Sequence, residues 1–228
     1  MASCLIALDK NPGVRPIGVG DTARQDVQEA AGSIQLCAGQ IAGIEAAVHA
    51  VRSLLQSEKK EALLLIDASN TFNSLNRETA LHNIQRLCPS LATVLVNTYR
   101  APSELYVDGD VLLSQEGTTQ EDPLAMPMYA LATISLIRKL KSNVNNINQV
   151  WYADDASGAG KINRLREWWD LINMEGPKYG YFTNANKTWL VSKEDCLPSA
   201  AEAFADTDVK VISEGRPYLG CIGFLARI

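Results

Sequence analysis

The chain has 228 residues, 46% of them hydrophobic and 21% charged, which is enough to bury one large core or two small ones. No apolar run reaches the roughly 18 residues of a membrane span, and the first residues lack a signal-peptide pattern. The formal net charge of −5 and pI near 5.1 weigh against nucleic-acid binding by bulk electrostatics, so such binding needs a local basic surface or segments outside this chain. The five cysteines (Cys4, Cys37, Cys88, Cys196, Cys221) are scattered and lack C-x-x-C spacing. That usage fits a reducing intracellular compartment, nucleus or cytoplasm, rather than a secreted protein, and implies neither zinc nor disulfides.

In chain order, Gln40 to Gln56 carries Ile41, Ile44, Val48, Val51 and Leu55 at helical spacing, which predicts an amphipathic helix. Ala62 to Ile66 reads as a buried strand ending at Asp67. Asn76 can cap a helix through Leu87, and Ser90 can cap another through Tyr99. Glu104 to Val107 and Val111 to Ser114 flank Asp108-Gly109-Asp110, a hairpin signal. An apolar helix is predicted from Pro123 to about Lys141, with Pro127 in its first turns, where proline is tolerated best. Gln149 to Ala153 is strand-like and leads into Asp154-Asp155 and the small, loose stretch Ala156 to Gly160, a hairpin with both carboxylates at its tip. Asn163 can cap a helix to about Met174, and strands follow near Thr188 to Ser192 and Val209 to Ile212. This order predicts an α+β fold, an antiparallel sheet backed by helices on one face.

Two apolar strands therefore end in carboxylates, one in Asp67 and the other in Asp154-Asp155. If the strands are neighbours, three carboxylates converge at one sheet edge and repel each other unless a cation lies between them. Hard oxygen ligands of this kind bind Mg²⁺ weakly, with substrate phosphates completing the shell. Other signals fail: Gly158-Ala159-Gly160-Lys161 has Ile162 where a phosphate loop needs Ser or Thr, and Gly18-Val19-Gly20 lacks the rest of a dinucleotide fingerprint. Trp168-Trp169 can stack on bases, although core packing of one ring is the simpler reading.

Five segments in order resemble the motifs of reverse transcriptases of retroelement type. Asp67 to Ser74 resembles motif A, Glu116 to Leu124 motif B, and Tyr152-Ala153-Asp154-Asp155 motif C. Asn186-Lys187-Thr188 is similar to motif D, and Tyr218-Leu219-Gly220 to the primer-grip motif E. Upstream, Lys10 and Arg15-Pro16-Ile17 resemble the fingers strands that meet the incoming triphosphate. The resemblance implies a polymerase palm with a ferredoxin-like antiparallel sheet at 61–228. It implies partial fingers and a fingers–palm helix at 1–60, with fingers–palm elements interleaved near 75–118. It also implies RNA-templated addition of deoxynucleoside triphosphates to a DNA or RNA primer, using two Mg²⁺ ions or Mn²⁺ in their place. By the same resemblance, Asp67 and Asp154 are the principal metal ligands with Asp155 in support, and Lys187 assists the leaving pyrophosphate. Lys10, Arg15, Ala68, Phe72 and Gln120 contact substrate, with Phe72 as the steric gate against a ribose 2′-OH; Tyr218, Leu219 and Gly220 grip the primer.

The sequence departs from that family at three places. Glu121 stands where the motif B pattern has glycine, and one like-charge repulsion at ~8 Å with an effective dielectric of ~20 costs roughly 2 kcal/mol. Arg15 and Asp67 are 52 positions apart, about one helix short, with the join near Arg24-Gln25-Asp26. The chain stops eight residues after Gly220, which leaves no room for a thumb. A non-catalytic remnant of the same fold, inert or nucleic-acid binding, is thus the main alternative. An RNA-dependent RNA polymerase is a third, against which Phe72 argues.

Overall fold

The computed structural model describes residues 4–9, 14–19, 21–31, 34–37, 42–107, 110–118, 122, 124–214 and 218–219, with the backbone alone described for 4–9, 14–19, 21–24, 105 and 107. Lys10, Gln120, Glu121 and Gly220 lie outside the described residues, as does the side chain of Arg15.

An antiparallel hairpin of β1 (Cys4–Asp9) and β2 (Val14–Val19) comes first, with Arg15 opposite Leu8. The helix α1 (Asp21–Ala31) runs unbroken through Arg24–Asp26, where the sequence placed a join, and buries Val27 and Ala31. Next come α2 (Gly43–Leu55), β3 (Ala62–Ile66), the single turn α3 (Thr71–Ser74), α4 (Arg77–Leu87) and α5 (Pro89–Tyr99). The hairpin of β4 (Ser103–Val107) and β5 (Asp110–Ser114) precedes the long α6 (Ala125–Asn143). The chain then forms β6 (Asn148–Tyr152), β7 (Asp155–Gly160), α7 (Ile162–Glu175), β8 (Trp189–Ser192), α8 (Leu197–Ala203) and β9 (Lys210–Ile212).

Five strands form the central sheet in the order β6-β7-β3-β8-β9, antiparallel except for the parallel β8–β9 pair. The α+β class holds, with two differences from the sequence expectation. Helices cover both faces: Ala62, Leu64 and Ile66 pack with Leu136, Leu165 and Trp168 of α6 and α7, while Leu63 and Leu65 pack with Val48, Val51 and Leu55 of α2. Every residue of β3 is therefore buried, and its unbroken apolar run follows from having no solvent face. A third cluster joins α1, α4 and α5 to the first half of α6, which is why that helix is apolar nearly all round.

The second difference is β7. The stretch 156–160 is a central strand rather than a loose loop. Its small residues answer the packing: a Cβ on Gly158 would stand 2.6 Å from the Trp168 ring, and one on Gly160 2.5 Å from Ile147. Trp168 and Trp169 are 0% and 5% exposed, so both rings are core and neither is offered to a base.

Helix starts show where local rules suffice and where they do not. Asn76 caps α4, its side chain accepting from the Thr79 amide at 2.8 Å. The α5 start lies at Pro89 rather than after Ser90, because proline is preorganised for the first helical position. Asn163 lies inside α7; its first amide, Ile162 N–H, is instead satisfied by Glu61 Oε2 at 3.0 Å, from the residue just before β3. Among the described residues no helix is long and apolar enough to cross a membrane.

Candidate active site

The β3–β7 register pairs Ile66 with Ala156, so one step further Asp67 stands opposite Asp155. On the other side of β7, the last β6–β7 pair is Tyr152 with Asp155, which leaves Ala153-Asp154 as a two-residue hairpin loop. Asp154 alone is therefore at the tip, and Asp155 already belongs to the strand. Of the two loop residues only Ala153 has a positive φ, 52°, where such a turn favours glycine. The left-handed region costs an L-residue about 1–2 kcal/mol, so the turn is held by its surroundings.

Those surroundings are specific. Thr71 Oγ1 at the start of α3 donates to Asp154 Oδ2 at 3.2 Å, and Tyr181 donates its hydroxyl to the Asp154 carbonyl at 2.9 Å. The segment after α7 is also tied to the end of β3, with Asn184 N–H donating to the Asp67 carbonyl at 2.8 Å and Ser69 N–H to the Phe182 carbonyl. That tie brings Lys187 close enough to act on the Asp67 charge. Asp67, Asp155 and Lys187 line one cleft of about 130 Å³ with Tyr218 and Leu219. Tyr218 is anchored there by Ser157, whose hydroxyl donates to the tyrosine oxygen at 2.8 Å.

The electrostatics follow from the crowding. Burial, with the charges of Asp154 and Asp67, pushes the Asp155 carboxyl up to about 6. Burial also raises Asp67, with Lys187 pulling it back and Asp154 adding to the rise. Among the described residues no group of three or more His, Cys, Asp or Glu side chains is arranged to hold a metal ion by itself. Carboxylate oxygens are hard donors, the type that Mg²⁺ takes. Burial lifts the nearby Cys37 thiol to about 12, so it is no nucleophile.

The raised Asp155 has a consequence for stability. The proton that the folded state holds stabilises it at low pH, and that stabilisation is lost as pH rises through about 6. Metal-free Asp155→Asn should exceed the natural chain in stability near neutral pH by about 1–2 kcal/mol after solvent screening, with the difference gone below about pH 4. Thermal melts of both chains at the two pH values read this directly; equal melts at both would mean that burial and the neighbouring carboxylates do not raise Asp155.

The other expected residues fall in different places. Ala68 is 8% exposed, packs in the core and bridges Thr183, so its methyl faces the interior. Phe72 is half-buried against Tyr129, ring centroids 4.7 Å apart. Motif B begins against the same turn: Thr118 N–H donates to the Phe72 carbonyl at 2.6 Å and Gly117 N–H to that of Leu75 at 2.9 Å. Arg77, 5% exposed, locks this junction by donating to Ser114, Glu116 and Gly117 carbonyls. Thr71, Arg77 and Tyr181 were not singled out from sequence, since each acts through a partner 27 to 83 residues away.

No protein-family model matches the chain, and no curated protein matches it significantly. Among solved structures it is similar to apo telomerase from Candida tropicalis, with a TM-score of 0.58 and 12% identity over 85% of this chain and 45% of that one. Telomerase from Candida tropicalis in complex with a TWJ fragment of telomeric RNA gives 0.56 and 14% over 84% and 41%. Telomerase from Candida albicans with the same kind of fragment gives 0.52 and 12% over 77% and 35%. The chain spans less than half the length of these proteins. The likeness supports a fold like the one these telomerase chains contain.

Proposed function

We propose that this chain is the palm of an RNA-templated DNA polymerase. The observation that carries the reading is the register that sets Asp67 opposite Asp155, with Asp154 in the adjoining turn and Lys187 beside them. In the reaction a primer 3′-hydroxyl gives up its proton to solvent as its oxygen attacks the α-phosphorus of a deoxynucleoside triphosphate; a new P–O bond forms, and the bond from that phosphorus to the α,β-bridging oxygen breaks as pyrophosphate leaves. Asp67, Asp154 and Asp155 would hold the Mg²⁺ or Mn²⁺ ions together with the triphosphate. When bound, such ions lower the pKa of the attacking hydroxyl and stabilise the departing oxygen. Lys187 is assigned to balance charge at the leaving pyrophosphate, and Tyr218 and Leu219, which line the cleft, are assigned with Gly220 to grip the primer on the motif resemblance. Lys10, Arg15 and Gln120 are assigned to the triphosphate and its sugar on the motif resemblance alone. For Ala68 the backbone, not the buried methyl, is what remains to offer.

Phe72, braced by Tyr129, is assigned to exclude the ribose 2′-OH. Phe72→Val is expected to raise ribonucleotide incorporation relative to deoxynucleotide by at least about 10-fold, a change of about 1.4 kcal/mol in discrimination. Single-nucleotide extension with each substrate measures it, and unchanged discrimination would return Phe72 to the core.

A second reading, a palm that keeps the fold without catalysis and serves as a nucleic-acid-binding module, is favoured by Glu121, which puts a negative charge where the motif B pattern has glycine. Primer extension on an RNA template separates the two. The natural chain should add the complementary deoxynucleotide above an Asp154→Ala blank, and Glu121→Gly should raise the rate tens-fold, in line with a repulsion of roughly 2 kcal/mol. No incorporation above the blank by either chain would favour the non-catalytic reading.

A further inference from the structure

Gln35 belongs to none of the motifs, yet it is 0% exposed and fully engaged. Its segment runs beside the end of β6, bridging Trp151 in parallel, with Leu36 N–H donating to the Trp151 carbonyl at 2.9 Å. The carboxamide then reaches the next residue but one. Gln35 Oε1 accepts from Ala153 N–H at 2.9 Å, and Gln35 Nε2 donates to the Ala153 carbonyl at 3.1 Å. The same Nε2 donates to Thr133 Oγ1 at 3.3 Å, and that hydroxyl donates back into α6. One planar amide thus satisfies both backbone polar groups of the left-handed residue that precedes Asp154. A buried peptide left without those partners would be poorly solvated, so the bonds constrain the turn.

We propose that Gln35 is a positioning residue for the carboxylate site, its carboxamide holding Ala153 in the left-handed conformation and so setting how Asp154 and Asp155 leave the turn. The inference rests on the polymerase reading above. Tyr181 fastens the Asp154 carbonyl, one residue further on, so the turn is clamped through two successive residues. A residue that only filled the core would do its work through volume, and a positioning residue does it through the two bonds.

The test compares Mn²⁺ binding, melting temperature and single-nucleotide addition in the natural chain, Gln35→Met, Gln35→Glu, Asp154→Ala and the double variant Gln35→Met with Ala153→Gly. Methionine keeps the length and loses both bonds; glutamate keeps the acceptor for the Ala153 amide. Gln35→Met should weaken Mn²⁺ binding about 10-fold or more and lower kcat similarly with little change in KM, and Gln35→Glu should fall between. Glycine at position 153 adopts a positive φ without strain, so the double variant should recover much of the loss. Unchanged Mn²⁺ affinity in Gln35→Met would overturn the proposal, as would a loss that tracks the melting temperature and is not rescued by glycine. Equal binding by the natural chain and Asp154→Ala would instead sink the polymerase reading and this role with it.

Discussion

Asp67→Asn is expected to lower nucleotide addition by about 10³-fold or more, about 4 kcal/mol of transition-state stabilisation, while leaving the fold intact. Asn is isosteric, so the Asn184 N–H bond to the position 67 carbonyl and the pairing of Ala68 with Thr183 are unaffected. The charge removed is partly buried and repelled by Asp154. Its loss should hold or slightly raise the melting temperature. Activity that collapses while stability does not is the signature of a site residue, and single-nucleotide addition measured beside a thermal melt reads both. A parallel fall of the two would make Asp67 a structural residue of the strand end.

The largest stability effect is expected at Trp168. Its ring fills the space over Gly158 and meets Trp151 edge-on, centroids 6.3 Å apart, where Trp151 also meets Tyr181. Trp168→Ala should cost about 4 kcal/mol, since the glycine strand beneath the cavity has no side chain with which to collapse into it. For a chain of this size that is a fall of about 10 °C in melting temperature. Because β7 carries Asp155 and ends the hairpin that carries Asp154, the same variant should also disturb metal binding. A drop of a degree or two would mean that β7 is not held by this ring.

These two residues also mark what the sequence makes legible. Asp67 was readable because an all-apolar strand ends in it, and Asp154-Asp155 because a strand and turn signal surround it. The helices α4 and α6 were readable for similarly local reasons, a capping asparagine and a long apolar period. β7 was not, since alanine, serine and glycine look like a loop until Trp168 and Ile147 are known to occupy the space above them. The second helical layer, α2 on the far face of the sheet, escaped because a buried strand does not say which element covers it. The bonds that hold the site escaped for a similar reason. Glu61 caps α7 across 101 positions, Thr71 reaches Asp154 across 83, and Gln35 reaches Ala153 across 118. Local sequence determines the residues that could do chemistry, and long-range packing determines how they are aimed.

On the proposed polymerase reading, the strand-end carboxylates share cations with a bound triphosphate. Anomalous scattering from crystals of the natural chain grown with Mn²⁺ and a deoxynucleoside triphosphate tests it most directly. The expected result is manganese density between the Asp67 and Asp155 or Asp154 carboxylates, bridging to triphosphate oxygens near Lys187. Manganese found elsewhere, or a triphosphate bound away from this cleft, would contradict the account.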